Sequence, residues 1–405
     1  MMRPVAWRRM ETTALFLVLL LLSARLLISA TYQHTLQSPK SPLLYHAGTL
    51  AFNYFDFGFV RRGLGGSIVH LIGGEMLGAT AIFHMLSAAA VSAVACLFVT
   101  RLEPPRRRAT FVVLLAAIVM RWAEDAGRTD LAVAALVGSA AMALRSGRPV
   151  VATSLVAVGL CIHETSFVYG IPLLAGLAFE HRVWRSLSRR AIVCAIAVPV
   201  AALGLYLLLD RLPHADAGTM VDTVRSRLPR TDEVDWAIYY AISGGRGVST
   251  SLCQNARDPS YPMHVGGGLL VIALFVGLTG MRGPTLWRAI LVSVPSFLFL
   301  SHVANDISRW SGLAAMNVWW FAACSGDERA GVNWRWRPVA AIAAILLIHP
   351  KVYPVEYAIY VPTPVLERLA QRLLGAPRTP SVSAALAICD PGWREYLDRQ
   401  RAVAR

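Results

Sequence analysis

The sequence predicts an all-α protein, a polytopic transmembrane helix bundle of about 11 spans in which some helices are short and paired. Three observations carry that prediction. Of 405 residues, 56% are hydrophobic and only 16% charged, and the mean hydropathy of +0.51 lies far above that of a soluble domain. Apolar runs recur along the chain at roughly the 20-residue length a helical crossing needs. Basic residues gather in alternate short loops between those runs, which is the pattern of the positive-inside bias.

The apolar runs fall at 12–30, 79–100, 191–209, 265–281, 289–301, 312–324 and 339–348, the last three short and extending into their flanks. Two further hairpins are unusual, because 109–122 and 150–162 are each about two thirds of a normal crossing. Their turns are expected to lie below the outer membrane surface. Charges at that depth are tolerated only beside protein or a water-filled cavity, so these turns predict a hydrophilic cavity open to the outside. The alternative for 150–179 is one long helix with His163 and Glu164 in its middle, and the basic loop at 182–190 argues against it.

Basic loops at 3–9, 101–108, 145–148, 182–190, 282–288 and 329–337 are assigned to the cytoplasm. The outward-facing regions are then 31–75, 121–130, the surroundings of His163 and Glu164, 210–264, 302–309 and the chain after His349. The N-terminus lies inside and the C-terminus outside. The layout expected is one membrane domain, 1–350, with outer loops 31–75 and 210–264, followed by an outer tail, 351–405, holding a short amphipathic helix at 367–374. Neither an internal repeat nor a low-complexity linker is visible. Arg25, and the lack of a good small-x-small cleavage site, favour an uncleaved first span over a signal peptide.

A net charge of +15 raises the possibility of nucleic acid binding, but the arginines are spread over short loops between apolar spans and a membrane explains them better. Only Lys40 and Lys351 are lysine, which with the abundant alanine points to a GC-rich bacterial genome and an inner (cytoplasmic) membrane location. Cys96, Cys161, Cys194 and Cys324 fall in or beside spans and read as packing residues. Cys253 and Cys389 lie in outer segments and are candidates for a disulfide tying the tail to the long loop, a pairing that sequence alone leaves open. No cysteine and histidine spacing resembles a zinc site.

Four polar constellations sit at the outer ends. The first, Tyr54-Phe-Asp-Phe-Gly-Phe-Val-Arg-Arg-Gly-Leu-Gly-Gly66, offers a carboxylate (Asp56), two cationic forks (Arg61, Arg62) and a glycine run whose amides a ligand can approach closely. Together these suit a phosphate and a hydroxyl side by side. The bland alternative is an interfacial helix with aromatics in the headgroup belt and arginines snorkelling to lipid phosphates. The second places Glu124, Asp125 and Asp130 on a short turn with Arg128. Those carboxylates could hold a divalent cation, Mg or Mn, through oxygen ligands, pair with arginines, or simply cap the next helix. The third is His163-Glu164, costly between two abbreviated apolar segments unless partnered. In the fourth, helical spacing would bring His302, Asp306 and Arg309 near one face, to bind an anionic headgroup or to form an internal salt bridge between Asp306 and Arg309. The mixed charges of 210–264, Arg225 and Arg227 among them, read as solvated surface, and only Arg246, beside two glycines, stands out as a phosphate contact.

This layout resembles the GT-C class of membrane glycosyltransferases. The likeness lies in a first span, a long outer loop bearing an acid (Asp56), short paired helices with an acidic turn (Glu124, Asp125, Asp130), and basic and histidine residues at later outer ends. It covers most of the membrane region and is one of plan. Members often carry an adjacent acidic pair in the first loop, where this chain has Asp56 alone followed by Arg61 and Arg62. The His-Glu turn and the Asn-Asp-x-x-Arg segment also resemble polysaccharide-polymerase membrane families.

The resemblance implies transfer of a sugar from a polyprenyl-phosphate-linked donor to a glycan or lipid-linked acceptor, in cell-envelope polysaccharide biosynthesis on the periplasmic face. Asp56 would be the general base, with His163 and Glu164 positioning substrate. Arg61, Arg62, Arg246 and Arg309 would bind substrate and stabilise the leaving phosphate, and Arg128, His302 and Asp306 would also bind substrate. No P-loop or dinucleotide fingerprint is present, so no nucleotide cofactor is expected. A polymerase joining lipid-linked repeat units is the second expectation. A transporter or flippase is the third, weakened by the lack of midplane charges and of a repeated half.

Overall fold

The computed structural model describes residues 12–21, 42–60, 62–102, 110–115, 128–182, 187–209, 217–229, 247–257, 261–303 and 307–325, with isolated positions beside these runs, parts of 231–239, and Cys389, Asp390, Trp393's neighbour Gly392 and Glu395 from the tail. Every regular element among them is a helix. In chain order these are α1 (Thr12–Leu21), α2 (Pro42–Leu50), α3 (Tyr54–Phe57), α4 (Gly63–Ile72), α5 (Met76–Val99), α6 (Asp130–Arg145), α7 (Pro149–Ile162), α8 (Thr165–Glu180), α9 (Arg189–Leu209), α10 (Ala217–Arg227), α11 (Gly247–Arg257), α12 (Tyr261–Thr279), α13 (Gly283–Val303) and α14 (Ile307–Ser325). The expected span 339–348 and tail helix 367–374 lie outside the described residues.

Three helices, α5, α9 and α13, are long and apolar enough to cross a membrane. The expectation of about 11 spans is not met by that measure. Helices α7 and α8 are apolar but only 14 and 16 residues long, about 21 and 24 Å at 1.5 Å per residue. Helix α14 has the length but carries Arg309, Asn317 and Ser311, and it lies at the centre of the bundle. Every residue from Trp310 to Cys324 is buried, against α5, α6, α8, α12 and α13.

The segment 150–179 is two helices. His163 is extended (φ −165°, ψ 136°) and ends α7, and Glu164 starts α8. The Ser166 hydroxyl, one turn into α8, donates to the Val156 carbonyl, so α8 folds back along α7. A proline in α8, Pro172, removes the amide that would have bonded the Val168 carbonyl. Ser296 of α13 supplies the missing donor at 2.7 Å, and Asn317 of α14 donates to the next carbonyl, Tyr169, at 2.8 Å. The proline thus sets where α8, α13 and α14 meet.

Two ends of the bundle can be told apart. Arg309 at the start of α14 reaches Asp130 at the start of α6, and Arg145 near the end of α6 reaches the Ala323 carbonyl, so these helices run parallel. Glu180 at the end of α8 pairs with Arg288 and accepts from Thr285 near the start of α13. One end therefore gathers Arg145, Glu180 and Arg288 from the arginine-rich loops. The other gathers Asp130, His163, Glu164 and Arg309.

Above that second end sits a smaller core. Ala47, Phe52, Phe57 and Val60 from the stretch before α4 pack with Met220, Val224, Val234 and Ile238 from the long stretch after α9. The two stretches, distant in sequence, form one cap.

Candidate functional site

Asp56 is held by its own short helix and by a residue 171 positions away. Asn53 is the N-cap of α3. Its Oδ1 accepts from the Phe55 and Asp56 amides at 2.9 and 3.0 Å, and its Nδ2 donates to Asp56 Oδ2 at 2.6 Å and to the Ala51 carbonyl at 3.1 Å. One buried side chain therefore both caps the helix and aims the acid. Arg227, the last residue of α10, donates to the same Oδ2 at 2.6 Å, and His70 Nδ1 lies 3.8 Å from it. The Phe55 ring stacks on His70 at 5.1 Å. The Arg227 hydrogen bond is the largest cause holding the Asp56 carboxyl below its ordinary value of 3.8; burial opposes it, and the hydrogen bond from Asn53 lowers it further. Asp56 is ionised at neutral pH.

Beside this acid is a cavity of about 440 Å³, within the size range of small-ligand sites. Its polar lining is Asn53, His70, Glu75 and Arg227, and Val69 and Met76 are among its apolar walls. Three of the four polar groups are therefore the partners of Asp56.

The glycine run does not present a cradle of amides as the sequence suggested. It is used for packing. A Cβ on Gly66 would run into the Phe52 carbonyl and come within 2.6 Å of the Leu50 carbonyl, and the Ser67 hydroxyl bridges the Tyr54 amide to the Gly63 carbonyl. The glycines let α4 press against 50–54, which fixes Asn53 and hence Asp56. A Cβ on Gly65 would lie 3.1 Å from Leu50, 3.7 Å from Thr129 and 3.9 Å from Ile162. The end of α2, the start of α6 and the end of α7 therefore converge on this point.

A second cluster lies at the His-Glu turn. Arg62 Nε donates to Glu164 Oε2 at 2.8 Å, and the Tyr206 hydroxyl donates to Oε1 at 2.9 Å. Arg62 takes the left-handed conformation (φ 61°) that side chains seldom adopt, immediately before α4. His163 is buried, and its Nδ1 accepts from the Thr165 amide at 3.2 Å, which puts the proton of a neutral ring on Nε2. Glu164, beside His163, thus meets Arg62 and Tyr206, whereas Asp56 meets Asn53, His70 and Arg227.

The third cluster is an ion pair. Both Asp130 oxygens accept from Arg309, Nε to Oδ2 at 2.7 Å and Nη2 to Oδ1 at 2.7 Å, with Asp130 fully buried and the guanidinium stacked 4.6 Å from the Trp310 ring. Of the readings open for Asp130, the structure shows pairing with an arginine, and that arginine is Arg309, a partner the sequence did not single out. The shared helical face of His302, Asp306 and Arg309 is also not formed, because α13 ends at Val303 and α14 begins at Ile307. His302 is exposed, bonded to its own helix at the Leu298 carbonyl, with its ring edge on Tyr261. Among the described residues no group of three or more His, Cys, Asp or Glu could hold a metal ion. Arg61, Glu124, Asp125, Arg246 and Asp306 lie outside the described residues, so the divalent-cation expectation now rests on Glu124 and Asp125. Arg128 is half-buried just before α6.

Sequence reasoning missed Asn53, His70, Glu75, Tyr206 and Arg227. For Asn53 a signal existed, since Asn three residues before an acid is a capping pattern. For Arg227, one of several charges in a solvated-looking loop, only the fold could single it out. Cys253 and Cys389 are disulfide-bonded, with a Cα–Cα distance of 5.6 Å.

No protein-family model matches the chain, and neither the curated proteins nor the solved structures contain a significant match.

Proposed function

We propose that this chain is a multi-pass membrane glycosyltransferase that moves a sugar from a polyprenyl-phosphate donor to a glycan or lipid-linked acceptor at the outer face of a bacterial inner membrane. The observation that carries this reading is an ionised Asp56, aimed by Asn53 and flanked by Arg227 and His70, at the edge of a cavity of about 440 Å³. In the layout proposed, about 11 crossings place the Arg145, Glu180 and Arg288 end in the cytoplasm and the cap outside. Helices of 14–16 residues cross by ending under a dimpled, wet outer surface.

The cavity takes the acceptor sugar. Its lining of amide, imidazole, carboxylate and guanidinium over an apolar floor suits vicinal hydroxyls. An acceptor hydroxyl oxygen attacks the anomeric carbon of the donor. Its proton passes to Asp56, and the bond from that carbon to the phosphate oxygen breaks with its electron pair going to the phosphate. Arg227 is then shared between Asp56 and the leaving phosphate. As the guanidinium turns toward the phosphate it releases Asp56, whose basicity rises when the proton must be taken.

The test is transfer of a radiolabelled sugar from a polyprenyl-phosphate donor to a glycan acceptor by the protein in nanodiscs. Asp56→Asn keeps the Asn53 cap and the cavity, and it should lower the rate by about 10²–10⁴-fold. A full rate in that variant removes Asp56 as the base. Uptake of sugar into vesicles with no new glycosidic bond would replace the reading with transport.

A further inference from the structure

We propose that Cys389 and Asp390 form a clip that positions Arg227 against Asp56, so that the site is complete only while the bridge to Cys253 is oxidised. The clip stands on the fold alone; its consequence for catalysis rests on the glycosyltransferase reading.

The tail is tied to the cap twice. Cys389 is bonded to Cys253 of α11 across 136 residues of sequence, and the adjacent Asp390 is only 5% exposed. Its two oxygens accept from the Tyr239 hydroxyl at 2.6 Å and the Thr250 hydroxyl at 3.3 Å. A carboxylate so buried is costly unless its lone pairs are filled, so the two hydroxyls fix its place. Tyr239 lies in a helical stretch whose described residues also include Val234, Asp235 and Ala237. Asp235 pairs with Arg225 of α10 at 2.7 Å, and α10 ends at Arg227. On its other side the same stretch packs on α2, where a Cβ on Gly48 would lie 2.7 Å from Ala237. Helix α11, which carries both Cys253 and Thr250, also closes the end of α13, since Asn255 donates to the Ser301 and His302 carbonyls at 3.0 and 3.1 Å.

Side-chain bonds therefore join Asp390 to Tyr239, Asp235 to Arg225 and Arg227 to Asp56, and the chain itself links Tyr239 to Asp235 and Arg225 to Arg227. Cys389 and Asp390 are positioning residues in this sense: they touch no substrate and act through the register of α10. Closing the 253–389 loop covalently holds the tail where Asp390 meets its donors at no further entropic cost.

The test uses the full chain in nanodiscs, with hydrogen exchange read by mass spectrometry before and after dithiothreitol. The reagent delivers two electrons and two protons to the bridge, giving two thiols, and itself closes to a cyclic disulfide. Residues 217–239 should exchange at least about tenfold faster after reduction, the effect of losing one charge-assisted hydrogen bond. Residues 130–180 should be unchanged. Asp390→Asn with the bridge intact should give a smaller rise in the same segment.

In the transfer assay Cys389→Ser should move the acid limb of the pH profile upward, because Asp56 loses the guanidinium that keeps its carboxyl acidic. Unchanged exchange at 217–239 with reduction verified by mass overturns the clip. Faster exchange with an unmoved acid limb limits the clip to holding the tail and overturns its action on Arg227. Faster exchange in a protein that shows no transfer in any state leaves the clip standing and overturns the reaction.

Discussion

Helices α9 and α14 are nearly equal in length and opposite in everything else. Helix α9 has one buried residue, Tyr206, and presents Val193, Ile196, Val200, Leu205 and Leu208 outward. Within its most apolar window only 6% of residues are buried. Helix α14 is buried continuously from Trp310 to Cys324, yet it is the one that carries Arg309, Asn317 and three tryptophans. The most apolar of the three candidate spans is the most exposed, and the more polar α14 is central. That order is wrong for a protein in water, where the apolar surface of α9 would be exposed at great cost. It is right for one whose outer solvent is hydrocarbon, because lipid does not reward burying leucine and helix contacts form through small residues and hydrogen bonds.

The largest expected effect falls on the seam of α14. Arg309→Leu leaves Asp130 buried without its partner and should cost about 3–5 kcal/mol, read as a loss of thermal stability in detergent. The double variant Asp130→Leu with Arg309→Leu should recover most of that loss. A double variant as unstable as the single one would show that the pair does more than neutralise itself. Next in size is Val200→Lys on the outward face of α9, which should cost about 2.5–3.5 kcal/mol of insertion and lower the membrane-integrated fraction. If α9 faced water, the same change would improve solubility and reverse the comparison.

Close packing gives the third effect. A Cβ on Gly138 of α6 would sit 2.5 Å from the Trp320 ring, so Gly138→Val should cost about 1–3 kcal/mol through overpacking, measured by the same melts. The smallest concerns the cap. Because the folded Asp56 carboxyl is more acidic than its ordinary 3.8, the Asp56 and Arg227 pair contributes stability above that value and loses it as pH falls through the folded one. Both groups are partly exposed, so the loss should stay below about 1 kcal/mol. It should appear as acid-side proteolysis of 217–239 that Arg227→Met no longer shows.

Much of the framework was legible. The turn at His163 and Glu164, the gathering of basic loops at one end, and Cys253 with Cys389 as a possible bridge could all be read from local pattern. So could the involvement of Arg309, but not its partner Asp130, which lies 179 positions away. The glycines of 63–66 read as a ligand cradle because close backbone approach has the same sequence signature whether a phosphate or another segment of chain comes near. Arg227 was hidden among charges of identical local appearance.

Composition and periodicity by themselves determined that the described residues are helical and where several of the apolar helices lie, because those properties follow from neighbours within a few residues. Only the tertiary structure decided that Asp56 belongs with Arg227, Glu164 with Arg62 and Tyr206, and Asp130 with Arg309. Those pairs span 42 to 179 positions, and an ion pair is chosen by distance and burial in space, which no local pattern encodes.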